Sequence, residues 1–231
     1  MRKLLLFPAM VVAAGLAPAA AAVASPAAVT SPAPVTVQAG PTAQQLLAKT
    51  AGCKQVSNGK YKTDEETGRT IAVCDAGGAV FWKADMDVDC DGQPTPRCNK
   101  NTDPWFQDGT AYPRSDGKAL IADQTPYIVV PSISSTWNFE KAGLKGAGSC
   151  AVIYNNKVLY TVIGDTGPKD IIGEASYAAA KSLGINPDPA NGGVDSGVTY
   201  ICFKNSKVTP TEDHGKATSV GEGLAAKFVQ G

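Results

Sequence analysis

Ala79-Val80-Phe81-Trp82-Lys83-Ala84-Asp85-Met86-Asp87-Val88-Asp89-Cys90 is the stretch whose reading decides the fold class. Its even positions, Val80, Trp82, Ala84, Met86, Val88 and Cys90, are all apolar. Its odd positions, Phe81, Lys83, Asp85, Asp87 and Asp89, are mostly polar. Side chains alternate across a strand, so this period of two is the pattern of a half-buried β-strand and not the stripe of a helix. Further strands follow outward from it. Tyr127–Pro131 and Gly197–Phe203 are short apolar runs, and Cys150–Tyr154 and Lys157–Ile163 flank Asn155-Asn156, a two-residue turn suited to positive φ. Helical text is scarce. Thr42 can cap a helix over Ala43–Thr50 with Gly52 just past its end, and Ala175–Leu183 is rich in helix formers and stops at Gly184. Residues 91–123 are turn-rich, and His214 lies in a polar C-terminal segment read as loop. The chain is therefore expected to be mainly β with short helices, and it has no internal repeat.

Composition narrows the class further. Lys plus Arg equals Asp plus Glu at 21 each, so no basic excess marks a nucleic-acid binder. The hydrophobic share of 43% is enough for a packed core and excludes global disorder. Arg2-Lys3, an apolar run through Ala24 and the small-residue site Ala22-Val23-Ala24 read as a signal peptide over residues 1–24. Residues 25–41, with Pro26, Pro32, Pro34 and Pro41, read as a linker, and residues 42–231 as one domain. After signal cleavage no stretch is apolar enough to span a bilayer, so the expected location is extracellular. Six cysteines against one histidine favour disulfides over zinc sites in such a compartment. Of the fifteen pairings the sequential one is expected: Cys53–Cys74, Cys90–Cys98 and Cys150–Cys202, with the short Cys90–Cys98 loop the best defined.

Two constellations could carry chemistry. The first is the acidic ladder Asp85, Asp87, Asp89, continued by Asp91. On a strand, residues i and i+2 stand about 6.7 Å apart on one face. Neighbouring carboxylates there repel by roughly 0.6 kcal/mol in water and about 2.5 kcal/mol at an effective dielectric of 20. Three readings compete: a solvated face neutralised by Lys83 or Arg97, a calcium loop beginning Asp87-x-Asp89-x-Asp91-Gly92, and a negative track for a cationic ligand. The calcium reading is weakened by Cys98 at the twelfth position, where a Glu belongs.

The second constellation is Gly164-Asp165-Thr166-Gly167-Pro168 followed by Ile172-Gly173-Glu174-Ala175-Ser176. Asp165 ends an apolar strand and could be a turn residue; Glu174 stands before a helix and could be a helix-start acid. Together, two carboxylates one loop apart can flank one bond, one protonating a leaving oxygen while the other activates water. A serine mechanism around Ser196 lacks a base other than His214 and has no G-x-S-x-G elbow. Trp82 lies on the apolar face of its strand and reads as core, whereas Trp105, Trp137 and Tyr112 lie in turn-rich text and could each stack on a sugar ring.

Met86-Asp87-Val88-Asp89-Cys90-Asp91-Gly92, with the Gly164–Pro168 and Ile172–Ser176 motifs, resembles the glycoside hydrolase family 75 chitosanases over about Cys53–Phe203. The resemblance implies a secreted endo-acting enzyme that hydrolyses β-1,4 bonds between glucosamine units with inversion. Its catalytic pair would fall on Asp165 and Glu174, with Asp85, Asp87 and Asp89 binding a cationic substrate. Chitosan would be the partner, and a monomer without metal or cofactor is expected. Gly167-Pro168, Ile171-Ile172 and Ser176–Ile185 also look like the core of double-psi β-barrel proteins. That similarity implies a six-stranded double-psi β-barrel core, stabilised by the disulfides. It leaves two rivals open: a cell-wall lytic enzyme and an expansin-like, non-catalytic polysaccharide-binding protein.

Overall fold

The computed structural model describes residues 40–231. The signal-peptide reading of residues 1–24 and nearly all of the linker reading of 25–41 lie outside the described residues. In chain order the elements are α1 (Ala43–Ala48), β1 (Lys54–Gln55), β2 (Cys74–Asp75), β3 (Ala79–Asp89), β4 (Tyr127–Pro131), β5 (Ser149–Tyr154), β6 (Lys157–Gly167), β7 (Glu174–Ser176), α2 (Tyr177–Leu183), β8 (Val194–Phe203) and α3 (His214–Gln230).

Six strands close on themselves in the order β3-β7-β4-β6-β5-β8, with β8 returning to β3. The pairs β3/β7 and β4/β6 are parallel and the rest antiparallel. Two parallel pairs set side by side in a closed six-stranded sheet are the double-psi arrangement expected from the resemblance. Closure leaves no long edge with unpaired N–H and C=O groups. The hairpin is present, β5 and β6 pairing across Asn155-Asn156 at φ 45° and 64°. All three disulfides join the cysteines in sequence order, Cys53–Cys74, Cys90–Cys98 and Cys150–Cys202.

The alternation in β3 holds for its inner face and fails for its outer one. Val80, Trp82, Ala84 and Met86 point into the barrel, where Trp82 stacks on Tyr200 at 5.3 Å between ring centroids. The opposite face is not solvated along its first half. Ala79 and Phe81 join Ile201, Phe203, Tyr160 and Phe228 in a second apolar layer outside the barrel. Only Lys83 and Asp87 on this strand are exposed. The cover is α3, which the sequence reading took for a loop. Gly215, Gly221 and Gly223 lower its intrinsic helix propensity, and packing overrides that. Ala217, Gly221 and Ala225, four residues apart, form its buried stripe, and Asp213 caps its start by accepting from Lys216 N at 2.8 Å.

Gly221 is needed for this approach, because a Cβ there would lie 2.4 Å from Tyr160 Cδ1. A Cβ on Gly223 in the same helix meets nothing within 4 Å. The two substitutions are therefore expected to act with opposite sign. Gly221→Ala should destabilise by about 1–3 kcal/mol through overpacking, and Gly223→Ala should stabilise by about 0.5–1 kcal/mol through helix propensity. At about 2–4 °C per kcal/mol for a chain of this size, melting curves resolve both changes.

Candidate functional site

A groove of about 650 Å³ opens where the C-terminal ends of β3 and β6 meet the start of β7. Among the described residues eight carboxylates line it, from Asp64, Glu65, Asp87, Asp89, Asp91, Asp103, Asp165 and Glu174, and no Lys or Arg does.

The barrel order explains how they meet. Parallel pairing of β3 and β7 sets Asp87 opposite Glu174 and Asp89 opposite Ser176. Glu174 is thus a strand residue, and Ser176 is the helix cap that follows it. The Ser176 hydroxyl accepts from Ala179 N and Tyr127 N and donates to Thr125 O, tying β7, β4 and α2 together. On the other side of β4 lies β6, whose Asp165 is the register partner of Val129. Val129 lines the groove between the two acids. Gly167 closes the gap: a Cβ there would stand 2.5 Å from Glu174 Oε2 and 3.0 Å from Val129 Cγ1, so the Gly164–Pro168 motif leaves the room that the Glu174 carboxyl fills.

The loops are fastened to the acids themselves. Asp165 Oδ1 accepts from Ala111 N at 2.8 Å and from Thr166 N at 2.7 Å. Asp91 Oδ1 accepts from Gln107 N at 2.6 Å, and Asp89 Oδ1 accepts from Asp91 N at 2.6 Å. The Asp91-Gly92 turn requires its glycine: φ is 118°, and a Cβ would lie 2.2 Å from Leu120 O.

Of the six acids singled out from sequence, Asp87, Asp89, Asp91, Asp165 and Glu174 line one groove. Asp85 does not. The β3–β8 register shifts between Ala84 and Met86, and Asp85 is buried at 6% exposure, its Oδ1 without a hydrogen-bond partner. It packs behind Glu174, where a Cβ on Gly173 would come within 2.0 Å of Oδ1. The calcium-loop spacing is not realised as a loop. Asp87 stays in β3 opposite Glu174, while Asp89 and Asp91 turn to Asp165, each of the three offering an oxygen within 4.8 Å of the others. Asp64, Glu65 and Asp103 escaped the sequence reading, because they arrive on loops remote from both motifs.

Burial and crowding push these acids upward. Burial is the largest cause for Glu174, raised to about 7, and the charges of Asp87, Asp91 and Asp165 add to it. Burial likewise lifts Asp91 to about 7 against the opposing Gln107 N–H, Asp87 to about 6 and Asp85 to about 8. Asp89 is held well above the usual range, by burial first and by Asp91 second. Asp165 is also raised by burial, but the N–H groups of Ala111 and Thr166 oppose the shift by favouring its ionised form.

A closed barrel carrying an acid-lined groove, with two carboxylates on either side of one strand, offers the groups that glycoside hydrolysis uses. The family is specific. The model described as "Fungal chitosanase of glycosyl hydrolase group 75" matches residues 86–225, more than half of the chain, and the chain belongs to that family. Endo-chitosanase B of Aspergillus oryzae is 30% identical over 212 residues, covering 79% of this chain and 88% of that protein. Endo-chitosanase C of the same species is 35% identical over 135 residues, 57% of this chain, and the chain spans only 33% of its length. Among solved structures a Streptomyces papain inhibitor is similar at 16% identity and a TM-score of 0.33, over 54% of this chain and 94% of that one.

Raised carboxyl pKa values fix the sign of the pH dependence. Between the unfolded value near 4 and the folded value, the folded protein holds a proton that the unfolded chain has lost. Stability is therefore highest at or below about pH 4–5 with respect to these groups, and it is lost as pH rises through about 6 to 8. Asp85, largely shielded from solvent, accounts for on the order of 3 kcal/mol of that loss. Thermal melting is expected to be lower at pH 8 than at pH 5, and Asp85→Asn should narrow the difference. Equal melting temperatures at the two pH values would overturn this account.

Proposed function

We propose that the protein is a secreted endo-chitosanase that cleaves β-1,4 bonds between glucosamine units with inversion. The observation that carries the reading is the groove itself: Asp165 and Glu174 flank a single strand in a cleft with eight carboxylates and no Lys or Arg among the described residues that line it. Chitosan is a polycation at mildly acidic pH, and a groove of this charge attracts it electrostatically. Peptidoglycan offers no comparable row of amines. The three disulfides and the signal-peptide reading of residues 1–24 support an extracellular site of action.

In this mechanism Glu174 is the general acid. With its carboxyl raised to about 7 it keeps its proton in the mildly acidic range where chitosan is charged. Asp165 is the general base, since two backbone N–H groups favour its carboxylate. Both bonds fall on Oδ1, leaving Oδ2 to take a proton from water. One strand between β7 and β6 sets their backbones about 10 Å apart at roughly 4.8 Å per strand, and an inverting pair needs its carboxyl groups about 6.5–9.5 Å apart to admit a water. As the bond from C1 to the glycosidic oxygen breaks, Glu174 protonates that oxygen. Water bonds to C1 from the opposite face and yields its proton to Asp165. Glu174 ends ionised, Asp165 ends protonated, and exchange with solvent restores both. Asp87 and Asp89 bind substrate amines along the groove. Asp85 is buried behind Glu174 and does not touch substrate.

Reducing-end release from highly deacetylated chitosan tests the reading beside purified peptidoglycan. Wild type is expected to turn over chitosan only, and Asp165→Asn and Glu174→Gln each to lose about 10²–10⁴-fold in kcat while folded. The first product seen by NMR should be the α-anomer; a β-anomer would contradict inversion. Activity on peptidoglycan alone would favour a lytic enzyme, and binding without turnover an expansin-like protein.

A further inference from the structure

The groove holds one residue whose placement acid chemistry does not explain. Trp105 is 79% exposed and lines the groove, whereas the other two tryptophans, Trp82 and Trp137, are 1% and 5% exposed. Tyr112, the third candidate platform from sequence, is half-buried and packs on the barrel core. A large aromatic face left in water is unfavourable unless something covers it.

The loop bearing Trp105 is built to hold that face out. Trp105 N donates to Asp103 Oδ1 at 2.8 Å, and Trp105 O accepts from Gln107 Nε2 at 3.1 Å. The next residue, Phe106, is buried in an apolar cluster with Cys90, Cys98 and Tyr127, anchoring the loop from below. Gln107 N and Ala111 N then bond to Asp91 and Asp165, so the loop is tied to two acids of the groove. A ligand resting on Trp105 is thereby held in register with Asp165.

We infer that Trp105 is a stacking platform for one pyranose ring of the bound polysaccharide, at a subsite beside the catalytic pair. The inference rests on the proposed chitosan-binding function and adds the residue that supplies affinity independent of acetylation. The indole face packs on the C–H face of the ring. Stacking needs no charge on the sugar, so Trp105 grips glucosamine and N-acetylglucosamine alike, while the carboxylates select the amine.

Because Trp105 is the one exposed tryptophan, intrinsic fluorescence reports on it directly. Glucosamine hexamer titrated into Glu174→Gln protein is expected to shift the emission saturably. The same titration of the Glu174→Gln, Trp105→Phe double variant should leave emission unchanged. On chitosan, Trp105→Ala is expected to raise KM about tenfold, with a smaller effect on kcat, and Trp105→Phe to recover part of the loss. No emission change in Glu174→Gln, or a wild-type KM in Trp105→Ala, overturns the inference even where wild type releases reducing ends. An emission shift in a protein inert toward chitosan would keep the platform and remove the hydrolase reading instead. Should Trp105→Ala fold poorly, the KM of Trp105→Phe decides between platform and structural residue: above wild type for a platform, equal to it otherwise.

Discussion

Everything at the groove depends on carboxylates being held together with no Lys or Arg beside them among the described residues that line it. In water such a cluster disperses or takes up counterions. In this protein the barrel prevents dispersal: Asp87 and Glu174 are locked by parallel register, and Asp165 is locked one strand away. The remaining release is protonation, which is why burial and mutual repulsion drive the acids above their ordinary values. A polycation removes the repulsion without removing the charges. The repulsion among the groove's carboxylates and its attraction for a row of amines are thus one electrostatic fact seen from two sides.

Much of this was legible in the sequence, and the reasons differ by element. The period-two run in β3 and the Asn155-Asn156 turn are local signals, and local geometry honours them. Disulfide pairing followed sequence order because each pair lies on neighbouring strands or closes a short loop. Closure of the barrel is not a local property, and it came from the resemblance alone. The helix α3 was invisible because three glycines in its seventeen residues argue against it. Gly221 is there for Tyr160, a contact 61 positions away that no window on the sequence contains.

The site divides in the same way. Asp165 and Glu174 were found by motif, and Asp87 and Asp89 by alternation. Alternation also promoted Asp85, but the Gly173 backbone packs against its carboxyl and Asp85 is buried outside the groove. That contact comes from a segment remote in sequence and leaves the pattern of residue types in β3 unchanged, so the ladder alone could not reveal it. Asp64, Glu65 and Asp103 belong to loops whose approach is set by tertiary structure, and their charge carries no pattern of its own.

The contrast between Asp165 and Glu174 completes the argument. They share a groove and a field of negative charge, so charge alone would treat them alike. Hydrogen bonding separates them. Asp165 receives two main-chain N–H groups, which stabilise an ionised carboxylate. Glu174 is raised to about 7, by burial first and by the charges of Asp87, Asp91 and Asp165 after it. One of the N–H groups that fixes Asp165 comes from Ala111, on the loop that also presents Trp105. In the proposed reaction a sugar gripped by that loop is placed by the same atoms that orient the base, so binding and chemistry cannot be displaced independently.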